Sequence, residues 1–549
     1  MNNSILHPPS PPSRRLLSLL ALAGAVLAPA LDSTAAQPNI LVILADDMGF
    51  SDLGCYGSEI ATPNLDRLAA DGLRFTQFYN TAKCHSSRIS LLTGRYPYQA
   101  GNTSLRRSVT VPEVLGAAGY FTAMTGKWHL QEQPTDFGFQ RYFGHLSGST
   151  NYFQGDDTFR LNGRPWPVPA QGFYTTVADV DFARKFLGEA REAKKPWFLY
   201  LSFNAPHAPL QPLEQDYRKY LGRYDAGWDV IRAARVAKQE QLGLWGRKVA
   251  PSPRPSHIPA WEKLTPAQRA GESRRMAAYA ALVDRLDQEV GRLLDDIRAA
   301  GELDYTFILF VSDNGANPYH RRTVNPDREP FDPGTAWNLG TGWAWVCNSP
   351  FRLYKQNQFE GGIATPAIVH WPSGRRTPPG SVTDVPAHLI DVLPTLADIS
   401  GAAVPAAWPG RELSPLAGES LAPVLAGGSL PVRTLYFLYN TDRGLRDGDW
   451  KLVSFQSNPW ELYNLAEDRT ELHDLAAQHT EVRDRLARRW FQMAETVDTA
   501  PAIRRTPVLE TAGSLAHQEW TRYDPQQARE PKKTRRERAA AAAPKENSP

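Results

Sequence analysis

A chain of 549 residues that is 42% apolar and 22% charged can bury a large core, and its composition excludes a disordered or collagen-like polymer. The formal charge of +3 is concentrated beyond Pro525, where seven basic residues meet three acidic ones; the remainder is near neutral, which excludes a basic face for nucleic acid. Three cysteines, Cys55, Cys84 and Cys347, are too few for a disulfide scaffold. A Cys55 and Cys347 pair and two separate buried thiols are both compatible with the sequence.

Arg14 and Arg15 precede an apolar run at 16–27, and the small residues Ala28, Ala30, Ala35 and Ala36 follow. This is the pattern of an export signal over 1–36, and the run is shorter than the ~20 residues of a membrane span. A periplasmic or secreted protein with no stable membrane span after signal removal is expected, an uncleaved anchor being the alternative. Residues 39–45, NILVILA, read as a strand buried on both faces. It runs into Asp46-Asp47 at the carboxyl edge of a sheet, where α/β proteins bind ligands. An amphipathic helix at 64–69 and a short strand at 73–78 come next.

The stretch 80–95, NTAKCHSSRISLLTGR, places Ser86 and Ser87 as helix starters ahead of the apolar run 89–92. Cys84 then lies at the positive end of a helix dipole, where free amides favour an oxyanion. The plainer reading of such a cysteine is a buried small hydrophobe. A helix at 111–118 and a strand at 120–124 lead to Gly126-Lys127-Trp128-His129. Residues 134–175 read as long surface loops able to wall a pocket. The strand at 196–204 ends just before His207, and 217–270 read as an insertion. Over 276–297, Tyr279, Leu282, Val283, Leu286, Val290, Leu293 and Leu294 share one helical face. The strand at 305–311 ends in Ser312-Asp313-Asn314-Gly315.

This alternation predicts an α/β fold, a mostly parallel sheet flanked by helices over 37–429. From 430 to 524, short strands at 433–438, 450–455 and 460–465 and a closing helix at 481–493 predict a small α+β subdomain. The charged, alanine-rich tail 525–549 is expected to be disordered.

Asp46, Asp47, Asp313 and Asn314 follow two different strands; if those are neighbours, they offer an oxygen-only shell for a hard divalent cation. Ordinary turn chemistry after strands is the alternative. Lys127 and His129, spaced i,i+2, point to one side of an extended chain. His207 sits between prolines, and Lys355 precedes Glu360-Gly361-Gly362. Collected with Arg88 at one edge, these groups would hold a tetrahedral oxyanion and move protons. No Gly-x-Ser-x-Gly elbow is present.

These motifs resemble the sulfatase family of the alkaline-phosphatase-like fold, from Pro38 through the C-terminal subdomain. Cys84-His85-Ser86-Ser87-Arg88, followed by Leu91-Leu92-Thr93-Gly94-Arg95, is similar to the family's Cys-x-(Pro/Ala/Ser)-x-Arg signature, with Ser86 where proline is most frequent. Tyr224-Asp225-Ala226-Gly227-Trp228-Asp229 and Gly342-Trp343-Ala344 resemble the bacterial broad-range arylsulfatases.

The resemblance implies a sulfuric ester hydrolase acting on a small-molecule or glycan sulfate ester. It implies a maturation enzyme that converts Cys84 to formylglycine, and one Ca2+ held by Asp46, Asp47, Asp313, Asn314 and the modified residue 84. Arg88 and Lys127 would position the hydrated aldehyde, and His129 would take its proton. Lys127, Lys355 and His207 would bind sulfate, and His207 would assist the leaving oxygen. Two rival readings share these residues: a phosphonate or phosphate monoester hydrolase, and a silent binding protein with unmodified Cys84.

Overall fold

The structure is a computed structural model that describes residues 37–320, 327–497 and 508; the expected signal 1–36 and tail 525–549 lie outside the described residues. Eleven strands form the main sheet: β1 (Asn39–Ala45), β2 (Leu73–Tyr79), β3 (Phe121–Gly126), β4 (Arg141–His145), β5 (Phe159–Leu161), β6 (Arg164–Pro165), β7 (Trp197–Ser202), β8 (Thr306–Ser312), β9 (Ala364–His370), β10 (Ser381–Thr383) and β11 (Ala387–His388). Their order is β10-β2-β9-β8-β1-β7-β3-β4-β5-β6, with β11 beside β2. The centre, β8-β1-β7-β3-β4, is parallel, and β9 runs antiparallel to both its neighbours.

The unbroken apolar run of β1 has a direct cause. Leu41 and Ile43 enter the core on one side of the sheet, and Ile40, Val42 and Leu44 enter the core on the other. The register then levels the strand ends: Ala45 pairs with Ser312, Leu44 with Ser202, and Ser202 with Gly126. Asp46, Asp313 and Lys127 therefore leave the sheet along one edge.

The helix Pro266–Ala299 is about 50 Å long and packs on the helices Pro63–Ala70 and Thr175–Glu192. It starts ten residues before the apolar periodicity does, because Thr265 caps it by accepting from Gln268 N in a reciprocal box. The residues read as an insertion are part of the core. Trp228, on the helix Trp228–Gln241, meets Trp261 and Trp343 edge to face at 4.8 and 5.9 Å.

Residues 134–175 are not simply surface loops. They supply β4, β5 and β6 to the main sheet, and Phe143 packs on Phe159, Trp166 and Phe182. Interspersed Gly and Pro hid these short strands.

A second sheet is the antiparallel meander β12 (Thr434–Tyr439), β13 (Asp442–Asp447), β14 (Trp450–Ser454) and β15 (Glu461–Asn464), closed by the helix Thr480–Val497. Three of these strands match the sequence reading. The second, β13, escaped it because Asp442, Arg443 and Arg446 are charged yet buried. Arg443 stacks 5.1 Å from the ring of buried Trp490. No helix among the described residues is long and apolar enough to cross a membrane.

Candidate active site

The helix Cys84–Thr93 begins at Cys84, two residues earlier than the serines suggested. Lys83 is its extended N-cap, and Ser87 Oγ turns back to accept from Thr81 N at 3.0 Å. Cys84 keeps the expected place at the positive end of the helix, buried to 1% exposure.

Three buried cations meet three buried carboxylates around it. Lys127 Nζ pairs with Asp46 Oδ2, and Lys355 Nζ with Asp47 Oδ1. Arg88 Nη2 lies 3.1 Å from Asp313 Oδ2 and 3.7 Å from Asp46 Oδ2, while its Nη1 donates to Ser202 Oγ and to Lys127 O. Lys355 Nζ is also 3.6 Å from Cys84 Sγ. Asp47, at φ 66°, accepts from Asn314 Nδ2 at 2.7 Å and from Asn317 Nδ2 at 2.8 Å, and its Oδ2 is 3.4 Å from His207 Nε2.

Burial opposes ionisation of Cys84, but Lys355, Lys127 and Lys83 outweigh it and pull the thiol down to about 6. Burial likewise opposes ionisation of Asp46 and Asp47, and Lys127 and Lys355 respectively keep both well below the usual carboxylate range. Asp313 goes the other way, pushed up by burial and by Asp46. Burial, then Lys127 and Arg88, hold His129 well below its ordinary value, and burial lowers His207. His129 is thus a neutral base near pH 7.

His129 departs from the i,i+2 expectation. Its φ of 59° breaks the extended chain, so Lys127 enters the carboxylate cluster while the His129 ring stands at the rim, 5.9 Å from the His85 ring. Gly148 leaves room for this ring: a Cβ there would come within 2.6 Å of His129 Nε2 and push the imidazole aside.

A divalent cation fits the donor set. Asp46 Oδ1 and Asn314 Oδ1 are buried without a hydrogen-bond partner, on the ends of adjacent strands. Ligand atoms of Asp46, Cys84 and Asp313 lie within 4.8 Å of one another. Oxygen donors of this kind suit Ca2+ or Mg2+.

All ten residues singled out in the sequence converge here: Asp46, Asp47, Cys84, Arg88, Lys127, His129, His207, Asp313, Asn314 and Lys355. Asn317 and Ser202 were missed; Asn317 carries no motif of its own, and its spacing of three from Asn314 was the only available sign. Glu360 lies behind the site, paired with Lys451 and Arg469 of the second sheet's region. Its neighbour Gly361 lets the loop bearing Lys355 pass closely, since a Cβ there would sit 2.3 Å from Leu353 O. Cys55 and Cys347 are both buried and free, so they are not paired.

The chain matches the sulfatase family model over residues 38–402, and the model for the C-terminal region of N-sulphoglucosamine sulphohydrolase over 351–496. It belongs to the sulfatase family. This sulfatase is 32% identical over 444 residues to arylsulfatase A of Homo sapiens, covering 76% of this chain and 73% of that one. It is 31% identical over 433 residues to the arylsulfatase of Klebsiella aerogenes, covering 71% of this chain and 92% of the relative. The crystal structure of Ps i-CgsB in complex with k-i-k-neocarrahexaose shares its fold, with TM-score 0.63 at 24% identity over 85% of this chain and 96% of that one. The sulfatase has the alkaline-phosphatase-like architecture and is a sulfuric ester hydrolase.

Proposed function

We propose that this sulfatase is an arylsulfatase-type hydrolase that cleaves sulfate esters through a formylglycine made from Cys84, with one Ca2+ held by Asp46, Asp47, Asp313, Asn314 and residue 84. The observation that carries this reading is the surrounding of Cys84: a buried helix start, Lys355 at 3.6 Å, and a cluster of Asp and Asn in which one Asp46 carboxylate oxygen and the Asn314 amide oxygen have no partner. When present, the ion neutralises charge on the sulfuryl oxygens and the hydrated aldehyde supplies a nucleophilic hydroxyl.

The chain's own residues do the rest. Arg88 and Lys127 orient residue 84 from their shared partner Asp46, Arg88 holding Asp313 as well. Lys127, Lys355 and His207 hold the sulfate oxygens, and His207 passes a proton to the leaving oxygen. His129, neutral at the rim, takes the proton from residue 84 that allows sulfate to depart. The catalytic region spans 37–429 and the α+β subdomain starts at 430; the part of its expected extent at 498–507 and 509–524 lies outside the described residues. The substrate is a small-molecule or glycan sulfate ester, and a maturation enzyme acts on the chain during export to the periplasm or medium.

Matched aryl sulfate and aryl phosphate esters test the reading, together with the mass of the peptide containing residue 84. Sulfate release well above phosphate release, an aldehyde mass, and loss of turnover in a folded Cys84→Ala variant are expected. A phosphatase preference, or an intact thiol in active protein, would overturn it.

A further inference from the structure

Accessibility divides the site in two. The carboxylates, Cys84 and the cations paired to them are sealed, whereas Lys83, His85, His129, His207, Gln356 and Tyr439 are half-buried and form the rim. None of these six is acidic. Lys127, Lys355 and Arg88 are each neutralised by a carboxylate. The Lys83 ammonium, by contrast, makes no hydrogen bond or ion pair with any described residue, although its charge acts on Cys84 and Lys355 and its backbone carbonyl accepts from Ser87 N at 2.9 Å.

Tyr439 reaches the rim from the other sheet. It closes the tight β12–β13 hairpin, pairing with Asp442 across Asn440 and Thr441, and Asn440 takes the left-handed φ of 51° that such a turn needs. Its ring lies 6.4 Å from that of His85. Its hydroxyl accepts from Gln356 Nε2 at 3.4 Å, and Gln356 N in turn donates to Ala82 O at 2.9 Å. The residue beside Lys355 thus ties the hairpin tip to the segment that leads into Lys83. An aromatic ring and an ammonium without an ion-pair partner among the described residues thus both lie within electrostatic reach of Cys84 and Lys355, on the half-buried side of the site.

We propose that Lys83 and Tyr439 form the leaving-group subsite, and that this subsite selects sulfate esters whose ring carries a second anionic group. The ring packs on Tyr439, and Lys83 pairs with the carboxylate or second sulfate. This deepens the sulfatase reading of the site and rests on it.

The test uses full-length protein whose residue 84 shows the aldehyde mass. Its substrates are 4-carboxyphenyl sulfate and the methyl ester of the same compound. Wild type should favour the carboxylate in kcat/KM by about tenfold, the size of one partly desolvated ion pair. Lys83→Met should bring that ratio to about one and Lys83→Arg should restore it, while Tyr439→Leu raises KM for both esters. In wild type alone, raising salt from about 0.01 M to about 1 M should collapse the ratio by screening. A wild-type ratio of one or below, or a ratio unmoved by both salt and Lys83→Met, would overturn the subsite while leaving the sulfatase reading intact. Failure of wild type to release sulfate from either ester would overturn the arylsulfatase-type reading, and the subsite with it.

Discussion

Lys451 on β14 holds its ammonium 2.6 Å from Glu360, with both side chains fully buried. The same ammonium lies 2.6 Å from Glu471, whose other oxygen accepts from Glu360 N at 2.8 Å. Arg469 also pairs with Glu360, and Tyr79 of β2 donates to it at 3.1 Å. Glu360 is where the main sheet, the loop bearing Lys355 and the second sheet are tied together.

Lys451→Met should therefore be severe. It leaves Glu360 and Glu471 facing each other without their shared cation, a loss of about 3–5 kcal/mol for a broken buried pair. Denaturant unfolding checks the stability. Sulfate release should fall as well, because the loop that positions Lys355 loses its anchor.

The same knot predicts a pH dependence. Burial pushes the Glu471 carboxyl up to about 7 from an ordinary 4.5, against the pull of Lys451. The folded chain then binds more protons than the unfolded one between those values, so this group's stabilisation is complete below pH 4.5 and is lost as pH rises through 7. Melting temperatures of Glu471→Gln relative to wild type should shift in the variant's favour from about pH 4.5 to about pH 8. A flat or opposite difference would refute the assignment.

Chelation should lower activity and melting temperature together. The cluster of Asp46, Asp47 and Asp313 is adapted to a cation, and saturation at a hundred times Kd adds about 2.7 kcal/mol to stability. Excess Ca2+ after chelation should restore both. Melting curves identical with and without chelator would remove the ion from the site.

Asn317→Leu isolates an indirect contribution to that ion. The amide donates to Asp47 Oδ2 at 2.8 Å and orients the carboxylate. Its loss should weaken Ca2+ affinity by about 10- to 100-fold, seen as a higher Ca2+ requirement with turnover regained at saturation. An unchanged calcium titration would show that Asp47 is oriented without it.

The centre of the fold was legible because its strands bury both faces and announce themselves as unbroken apolar runs. Asp46-Asp47 and Asp313-Asn314 could be read as candidates on that basis alone, since each pair ends such a run. Their adjacency could not be read, because strand order is set by tertiary packing; the structure supplies it as β8 beside β1. Charge patterning misled at β13, where Arg443 and Arg446 are buried against aromatic rings rather than solvated. The helix start was misplaced because Ser87 serves Thr81 instead of capping. Asn317 was invisible, having no periodic or motif context, and only the fold brings it to Asp47.

The burial of the Cys84 helix carries a consequence in time. Ser87 is 0% exposed, Cys84 1% and Arg88 1%. On the formylglycine reading, a modifying enzyme can grip this segment only while the chain is still extended. Export, modification and folding then compete on one clock. A chain that folds first becomes a stable, correctly shaped molecule with no route back to activity short of unfolding.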